Sequence, residues 1–303
     1  MRKHPSKIGT ISEFHELFRL SKPKHPSISF VDLLEFKNGV DGRNMNLEMD
    51  LFVISMRDGS CGHLFDRKDY DFTESVMTFR QPSKNTSKVD GNCVDANSGW
   101  FLIFSLDFIK NTNLYDKIDD FNFFFYKYSE ALHLSAAEQR LIQNCLGLIV
   151  NEIDQRIDIH SHGVIISTLG LLLNLCSRFY DRQFTTRSVL NIEIMNNLNF
   201  VLEEYYKNDH LKECGIPKNS YLAESVNLST NYLNDLLQKE IRKDTKNYVL
   251  DFLVDKAKIE LIKNQDSIEL ISQNLGFKFK NYFERTFKLK TGMTPIEFRQ
   301  LFK

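Results

Sequence analysis

The strongest constraint on the fold of this chain is a local pattern that occurs twice near its C-terminal end. Each copy has a short stretch with apolar residues at helical spacing, a few residues typical of a sharp turn, and a second helical stretch whose outward positions are polar. The copies lie at residues 221–237 and 268–287. Each predicts a helix-turn-helix unit, and two units in one chain are a far more specific signal than one.

The second copy contains a signal for each of its parts. Ser267 can cap a helix that carries Ile268, Ile271 and Leu275 on one stripe. Gly276 follows where the chain must turn, and a residue without a Cβ adopts the left-handed conformation at little cost. We expect four aromatic residues to fill the space between the two helices: Phe277, Tyr282, Phe283 and Phe287.

The first copy repeats this arrangement. Leu222, Ala223 and Val226 would pack inward from its first helix, and Ser229 can cap its second. The second helix separates apolar inward positions from polar outward positions. The inward residues are Leu233, Leu236 and Leu237, and the outward residues are Thr230, Asn231, Asn234 and Asp235.

The segment between the two copies is also informative. Residues 245–263 contain neither glycine nor proline, which predicts one helix of about 18 residues, roughly 27 Å long. A rigid helix of that length can hold the second helix of each copy on one face of DNA, with the two about one duplex turn apart, roughly 34 Å. One protomer could therefore contact two successive major grooves.

The C-terminal copy also carries a longer and more specific motif. It runs Leu275-Gly276-Phe277, then Tyr282-Phe283-Glu284-Arg285-Thr286-Phe287-Lys288, then Thr291-Gly292-Met293-Thr294-Pro295-Ile296-Glu297-Phe298-Arg299. With this motif, the segment from about residue 186 to 303 resembles the DNA-binding domain of the AraC/XylS family of bacterial transcription regulators. The resemblance implies an all-α domain that inserts two recognition helices, at about 230–240 and 280–289, into successive major grooves.

The resemblance also implicates individual residues. In that family, exposed residues of both recognition helices contact bases and phosphates. Carried over position by position, this gives seven candidates, and three lysines on or beside the same helices, Lys239, Lys278 and Lys288, bring the candidate DNA-binding residues to ten. They are Asn231, Asn234, Asp235, Lys239, Lys278, Lys280, Asn281, Glu284, Arg285 and Lys288.

Three positions depart from the family's pattern. Asp235 stands where arginine is common, so the first unit lacks a cation for phosphate or guanine, although a carboxylate can accept from a cytosine amino group. Arg242 stands where a glycine usually follows the first recognition helix, so we expect a different turn there. Phe279 replaces a small polar cap of the second recognition helix, a loss of about 1 kcal/mol. We therefore expect the second unit to contribute more of the DNA affinity.

The distribution of charge agrees with this assignment. The whole chain has a formal net charge of −1. From Gly215 to the C-terminus there are 15 Lys or Arg against 11 Asp or Glu, and from Lys278 onward 7 against 2. Because phosphate contacts dominate DNA affinity, the positive charge lies where the resemblance requires it.

The N-terminal part has a different character. Short apolar stretches predict strands at residues 27–31, 51–56, 75–79 and 100–106. Turn signals accompany them at Asn38-Gly39, Asp41-Gly42, Asp58-Gly59 and Asp90-Gly91. The pattern predicts antiparallel hairpins and a small barrel, and the family resemblance implies a cupin-like effector domain. The fold class is therefore α+β, with an N-terminal domain at 1–183 that becomes helical from about 113 and the DNA-binding domain at 186–303.

The helical part of the N-terminal domain predicts dimerisation. Ser135 and Glu138 form a capping-box pattern at the start of a helix at 135–155, and a second, strongly apolar helix runs over 164–180. Together they carry more apolar surface than one amphipathic face needs, so we expect a homodimer. The second helix is too short and too interrupted by polar residues to span a membrane. Residues 181–186 are the best candidate for a linker, and a third helix at 189–206 follows it.

No recognisable constellation of catalytic or cofactor-binding residues occurs in the chain. His4, His15, His25 and His63 lie in the β-rich part without a His-x-His arrangement. His160 and His162 have that spacing, but at the start of a predicted helix, where a cap or a solvated loop is the commoner role. The five cysteines are far apart, which indicates reduced thiols in the cytoplasm. We therefore expect no enzyme activity, no cofactor and no metal site, and no secretory signal at the N-terminus.

These observations predict a cytoplasmic, homodimeric, sequence-specific transcription regulator, with activation as the working assumption. Its expected partners are double-stranded DNA, RNA polymerase and an effector of unknown identity at the N-terminal domain. The aromatic run at 121–128 fits ordinary core better than an apolar effector pocket, which is the other interpretation. The alternatives are a cupin-type enzyme or binding protein whose helical tail has lost DNA binding, and a regulator controlled by its abundance or by a protein partner.

Overall fold

The computed structural model describes residues 6–39, 45–89, 97–155, 158–263 and 265–302. The chain divides into two compact units, residues 1–187 and 188–303. The first unit combines sheets and helices, and every regular element described in the second is helical.

The first unit contains all the strands that the structure describes. In chain order, its elements are β1 (Ser6–Ile8), α1 (Ile11–Leu17), β2 (Ile28–Asp32), α2 (Leu33–Gly39), β3 (Met45–Met49), β4 (Leu51–Asp58), β5 (Ser75–Arg80), β6 (Ser83–Val89), β7 (Gly99–Ser105), α3 (Leu106–Ile109), β8 (Leu132–Leu134), α4 (Ala136–Asp154) and α5 (Ser161–Thr186). Each of the four predicted apolar strands is present, as β2, β4, β5 and β7.

The strands form two sheets. Five strands in the order β2-β7-β4-β5-β8 make an antiparallel sheet, and β1-β3-β6 make a smaller one in which β1 is parallel to β3. In the centre of the larger sheet, Val53 on β4 pairs with Arg80 on β5 and with Ile103 on β7. Within the described residues neither sheet closes on itself, with β2 and β8 at opposite ends of the larger one. The predicted small barrel is therefore wrong for this part of the chain.

Side chains of α5 cover the β8 edge of the larger sheet. Gln183 replaces a neighbouring strand: its Nε2 donates to the carbonyl of Ala131 at 2.9 Å, and its Oε1 accepts from the N–H of His133 at 2.8 Å. Arg182 Nη2 donates to the His133 carbonyl at 2.7 Å, and Tyr180 Oη donates to the Glu130 carbonyl at 3.2 Å. These contacts satisfy the backbone groups that an edge strand would otherwise expose.

The turn signals have mixed outcomes. Asp58-Gly59 does not make a tight hairpin; it begins a 3₁₀ segment at Gly59–Phe65, with the Asp58 carboxylate accepting from the N–H of Ser60 at 2.9 Å. Asn38-Gly39 lies at the end of α2. Asp41-Gly42 and Asp90-Gly91 lie outside the described residues.

The two long helices of the first unit begin near their predicted residues, but one is longer than predicted. Ser135 and Glu138 form the predicted capping box of α4. Helix α5 extends to Thr186, so the predicted linker at 181–186 is wrong: Gln183 and Phe184 are helical and buried. Among the described residues α5 is the one helix long and apolar enough to cross a membrane, contrary to the expectation of a short helix. Its buried face and its contacts with β8 are those of a core helix.

A buried ion pair follows the end of α5. Arg187 donates from Nε and Nη2 to the two carboxylate oxygens of Asp71, at 3.0 and 2.7 Å, and both side chains are almost fully buried. Burial alone would raise the pKa of Asp71, but the hydrogen bonds and charge of Arg187 lower it overall. This fixes the last residue of the unit to the loop before β5.

The second unit consists of eight described helices. They are α6 (Ser188–Lys207), α7 (His210–Cys214), α8 (Asn219–Ser225), α9 (Thr230–Ile241), α10 (Thr245–Lys263), α11 (Ile268–Asn274), α12 (Lys280–Thr291) and α13 (Pro295–Leu301). The predicted helix at 245–263 is confirmed as α10, which contacts α9, α11, α12 and α13. Its buried residues lie on several sides, because helices of both repeats pack against it. They are Thr245, Val249, Leu250, Leu253, Val254, Ala257 and Leu261.

The buried imidazole of His133 predicts that the stability of the first unit depends on pH. Burial lowers the pKa of His133 to about 4, against about 6.5 in an unfolded chain. Between these values the unfolded state binds more protons, so the contribution is complete above pH 6.5 and is lost as the pH falls towards 4, by about 3 kcal/mol in total. Urea unfolding between pH 7.5 and 4.5 measures this.

The variant His133→Gln is the control for the other groups that titrate in this range. It has no imidazole to protonate, so its free energy of unfolding should depend less on pH than that of the wild type. Equal pH dependence in both proteins would contradict the assignment.

Candidate nucleic-acid interface

The turn of the second helix-turn-helix unit is fixed by a close backbone contact. Ser267 caps α11 by accepting from the N–H of Leu270 at 3.1 Å, as predicted. Gly276 ends the helix with a φ of +80°, and a Cβ there would lie 2.9 Å from the carbonyl carbon of Gly215 and 3.0 Å from the backbone nitrogen of Ile216. Only glycine satisfies both the left-handed conformation and this approach. The contact fixes this turn against the backbone at Gly215 and Ile216, in the loop that precedes the first helix-turn-helix unit.

An aromatic cluster holds α12 behind this turn. Phe277 is buried, with its ring 5.2 Å from that of Phe283, and Phe283 and Phe287 have no exposed surface. The prediction that Tyr282 points inward is wrong, since 40% of it is exposed. Its ring still lies 5.8 Å from Phe277, so it packs over the edge of the cluster with one side in solvent. Tyr282 thus joins the outward surface of α12.

The predicted contact residues of α12 form one exposed face. Lys280, Asn281, Arg285 and Lys288 are exposed, and Glu284 is half-buried among them. Positions separated by three, four or eight residues lie on the same side of a helix, so these side chains project together. Lys280 Nζ lies 3.7 Å from Glu284 Oε1, which offsets part of the positive charge. This exposed face therefore presents three cationic side chains, the amide of Asn281 and the carboxylate of Glu284.

The start of α12 lacks the side-chain cap that begins α9, α11 and α13. Phe279 occupies the cap position and makes no side-chain hydrogen bond to the helix, as expected from its side chain. Its ring is 71% exposed and lies between the exposed residues Lys278 and Lys280 in the sequence. The N–H of Tyr282 donates to the Phe279 carbonyl at 3.1 Å, whereas the N–H groups of Lys280 and Asn281 are available to another acceptor.

The corresponding face of α9 is more enclosed. Ser229 caps α9 by accepting from the N–H of Tyr232 at 3.1 Å, as predicted. Asn231, Asn234 and Asp235 are half-buried, whereas Lys239 is exposed. Asn234 Oδ1 also accepts from the N–H of Thr245 at 3.3 Å, so it helps to start α10. Of the four predicted residues on this helix, Lys239 is the most accessible.

The turn after α9 keeps a left-handed conformation despite its arginine. Arg242 has φ 56° and ψ 35°, and its N–H donates to the carbonyl of Gln238 at 3.1 Å. Gly292 ends α12 in the same way, with φ 83° and a hydrogen bond to Lys288 of 2.8 Å. The expectation of a different turn at Arg242 is therefore wrong. The substitution leaves the conformation and adds strain of about 1 kcal/mol.

One carboxylate joins the ends of both second helices to α10. Asp251 lies on α10, with Oδ1 2.8 Å from the Nζ of Lys290 in the last turn of α12. Its Oδ2 lies 2.6 Å from the Nζ of Lys243, just after α9, in an ionic contact without good hydrogen-bond geometry. Burial alone would raise the pKa of Asp251, but the two lysines lower it overall. This linkage was not predicted, because it joins residues far apart in the sequence.

Two outward residues, Gln238 and Tyr282, were not predicted to lie on these exposed faces. Gln238 is exposed on α9, seven residues after Asn231 and thus on the same side of the helix. This spacing could have identified it. On α12, exposed Tyr282 was assigned to the core because its aromatic ring suggested burial.

The histidines that could suggest another chemistry make ordinary contacts. His15 Nε2 lies 2.8 Å from Ser29 Oγ, and His162 Nε2 lies 2.8 Å from the carbonyl of Phe108. Among the described residues, no group of three or more His, Cys, Asp or Glu side chains is arranged to hold a metal ion.

Comparisons with known proteins agree with this geometry. Residues 222–301 match the helix-turn-helix domain family. The chain is 31% identical over 78 residues to the uncharacterized HTH-type transcriptional regulator YobQ of Bacillus subtilis, covering 26% of this chain and 32% of that protein. It is 32% identical over 94 residues to the arabinose operon regulatory protein of Escherichia coli, covering 31% of this chain and 32% of that protein. The matched segments thus span about a third of the length of these relatives, and they confirm the AraC/XylS resemblance.

A solved structure matches a similar fraction of the chain. The C-terminal domain of the two-component response regulator yesN from Fusobacterium nucleatum is 27% identical and covers 34% of this chain and 93% of that domain, with a TM-score of 0.29. A TM-score this low does not establish a common fold.

Two left-handed glycines allow a matched test of the backbone contact. A Cβ at Gly276 would overlap backbone atoms, whereas at Gly292 no atom lies within 4 Å. We expect Gly292→Ala to lower the free energy of unfolding by about 1 kcal/mol through strain alone. Gly276→Ala adds steric overlap and should cost about 3 kcal/mol. Urea denaturation compares them, and equal losses would show that the approach to Gly215 is unimportant.

Proposed function

We propose that this chain, which carries an AraC-type helix-turn-helix domain at its C-terminus, is a sequence-specific DNA-binding regulator of transcription. The observation that carries the proposal is the exposed polar and basic face of α12, held outward by a fully buried aromatic cluster. A surface with this charge and this rigid support suits the major groove. The proposal is also supported by relatives of this domain that are named as regulators.

The side chains on α12 suggest distinct roles at the duplex. Arg285 can donate two hydrogen bonds to guanine, and Asn281 can pair with adenine. Lys278, Lys280 and Lys288 would bind phosphates and fix the position of the helix. The uncapped first turn after Phe279 adds backbone N–H groups that could donate to a phosphate.

The first helix-turn-helix unit would contribute less to the DNA affinity and more to the choice of DNA sequence. We propose that α9 enters the neighbouring major groove, where Asn231 and Lys239 contact DNA and Asp235 repels the backbone or accepts from cytosine. Asn234 remains in the proposed interface through its amide nitrogen, because its oxygen is engaged by Thr245. With α10 about 28 Å long, the two grooves would be successive ones.

The proposed regulator acts in the cytoplasm, without enzyme activity, and its N-terminal unit dimerises and responds to an effector. RNA polymerase is its proposed protein partner, with activation as the proposed outcome. Support for dimerisation comes from exposed leucines on the two long helices of that unit: Leu141 and Leu148 on α4 and Leu171 on α5 are 44–56% exposed. The seven-residue spacing of the first pair places them on one side of α4.

The first test concerns the base-contacting residue. We expect Arg285→Ala to weaken binding to a selected operator by about 1–3 kcal/mol while the free energy of unfolding changes little, because the side chain is exposed. Selection of genomic fragments with the purified protein supplies the operator, and fluorescence anisotropy measures affinity. Arg285→Lys should keep non-specific affinity but lose discrimination, and Lys207→Ala, an exposed cation on α6, is the control. Unchanged operator affinity in folded Arg285→Ala would remove Arg285 from the interface.

The second test concerns the acidic position of α9. We expect Asp235→Arg to tighten non-specific binding and to steepen its dependence on salt, because each added phosphate contact releases about one more counterion. Asp235→Asn removes the negative charge without adding a cation. It should therefore change the affinity, while the slope of log K against log salt changes by less than about one unit. An unchanged slope for Asp235→Arg would mean that this residue faces away from the duplex.

The third test concerns assembly. We expect the full-length wild type to sediment as a dimer at micromolar concentration without DNA. The double variant Leu148→Glu/Leu171→Glu should be monomeric, because carboxylates would replace apolar surface at the interface. Leu34→Glu is a matched control, since Leu34 is 55% exposed on α2 of the same unit. A monomeric wild type, or a dimer that survives the double variant, would contradict this interface.

A further inference from the structure

The first unit contains a cavity with aromatic walls and basic polar groups. A cavity of about 230 Å³ lies between the end of β5 and the aromatic run before β8, and its walls include Phe79, Phe123, Phe124 and Tyr180. A second cavity of about 70 Å³, lined by Phe residues of α1, α2 and β7, shares the side chain of Arg80 with the first. The aromatic run thus serves as core and as cavity wall together.

The charge in these walls has one sign. The described residues that line the larger cavity include the cations Arg80 and Lys127 and no carboxylate. Those that line the smaller one include Arg57 and Arg80 and again no carboxylate. Arg57 is 4% exposed and lies over the rings of Phe65 and Phe101, at 5.3 and 5.5 Å. The charged residues that line these two cavities are therefore all cations, set among aromatic side chains.

Arg80 itself has an unsatisfied buried group. Its Nη2 is buried and has no hydrogen-bond partner. Other arginines of this unit are satisfied: Arg182 binds Glu138, and Arg187 binds Asp71. A guanidinium stays charged at any physiological pH, and a buried charged donor without an acceptor is costly. Among the described residues of the first unit, three buried side-chain atoms lack a hydrogen-bond partner: Ser75 Oγ, Arg80 Nη2 and Trp100 Nε1. Arg80 Nη2 is the one that belongs to a charged group.

We propose that the larger cavity binds a small organic monoanion, with the carboxylate of the ligand against Arg80 and its apolar body among the phenylalanine rings. The anion would supply the acceptor that Arg80 lacks, and its apolar part would displace poorly held water from the aromatic walls. Lys127, exposed beside the larger cavity, would attract the ligand to the opening. This inference deepens the proposed function, because it gives the chemical class of an effector for the N-terminal unit.

The experiment compares carboxylates with neutral analogues of the same shape, using the full chain without DNA. Benzoate, hexanoate and 2-naphthoate are each paired with their primary amides, and binding is measured by calorimetry and by the shift of the melting temperature. We expect at least one carboxylate to bind about 10- to 100-fold more tightly than its amide, the range for a hydrogen bond to a charged group. Arg80→Met should abolish that preference, and Arg80→Lys should keep part of it.

The unliganded variants provide a control for folding. Arg80→Met removes a half-buried cation whose Nη2 is buried without a partner, so its melting temperature without ligand should equal or exceed that of the wild type. The proposal is overturned if no carboxylate outbinds its amide in the wild type, or if Arg80→Met retains the preference. Operator binding is measured separately, so a wild type that discriminates carboxylates without binding DNA would reject the regulator and keep the cavity site.

Discussion

The second unit depends on the burial of a single helix by both repeats. α10 contacts α9 from the first helix-turn-helix unit and α11 and α12 from the second, and its buried residues lie on several of its sides. Moving either recognition helix would expose apolar surface of α10, at roughly 25 cal/mol for each Å². The ion pairs of Asp251 with Lys243 and Lys290 add partly exposed contacts at the ends of α9 and α12. The spacing of the two outward faces is therefore a property of the core.

Local stability is lower at the ends of the two recognition helices than in this core. Arg242 holds a left-handed conformation that favours glycine, and Phe279 leaves the start of α12 without a side-chain cap. Each choice costs on the order of 1 kcal/mol, and each adds a side chain that projects beside a proposed DNA contact. Departures from the most stable sequence commonly mark functional positions.

The sequence predicted the second unit well because its signals are local. Ser229, Ser267 and Gly276 act within a few residues of their positions, and the absence of glycine and proline over 245–263 was sufficient to identify α10. The first unit was harder. Its long strands were evident, but the last edge of the larger sheet is covered by Gln183, which binds the backbone at β8 some fifty residues earlier in the chain. For the same reason the polar run at 181–186 resembled a linker, although its contacts make it part of the core.

The most direct test of the central claim is a hydroxyl-radical footprint of the full-length protein on its selected operator. If α10 fixes α9 and α12 at the spacing of one duplex turn, one protomer should protect two segments about 10 base pairs apart on one face of the DNA. The Asp235→Arg variant should strengthen protection of the segment read by α9. A single protected segment per protomer, unchanged in that variant, would contradict tandem recognition by the two helices.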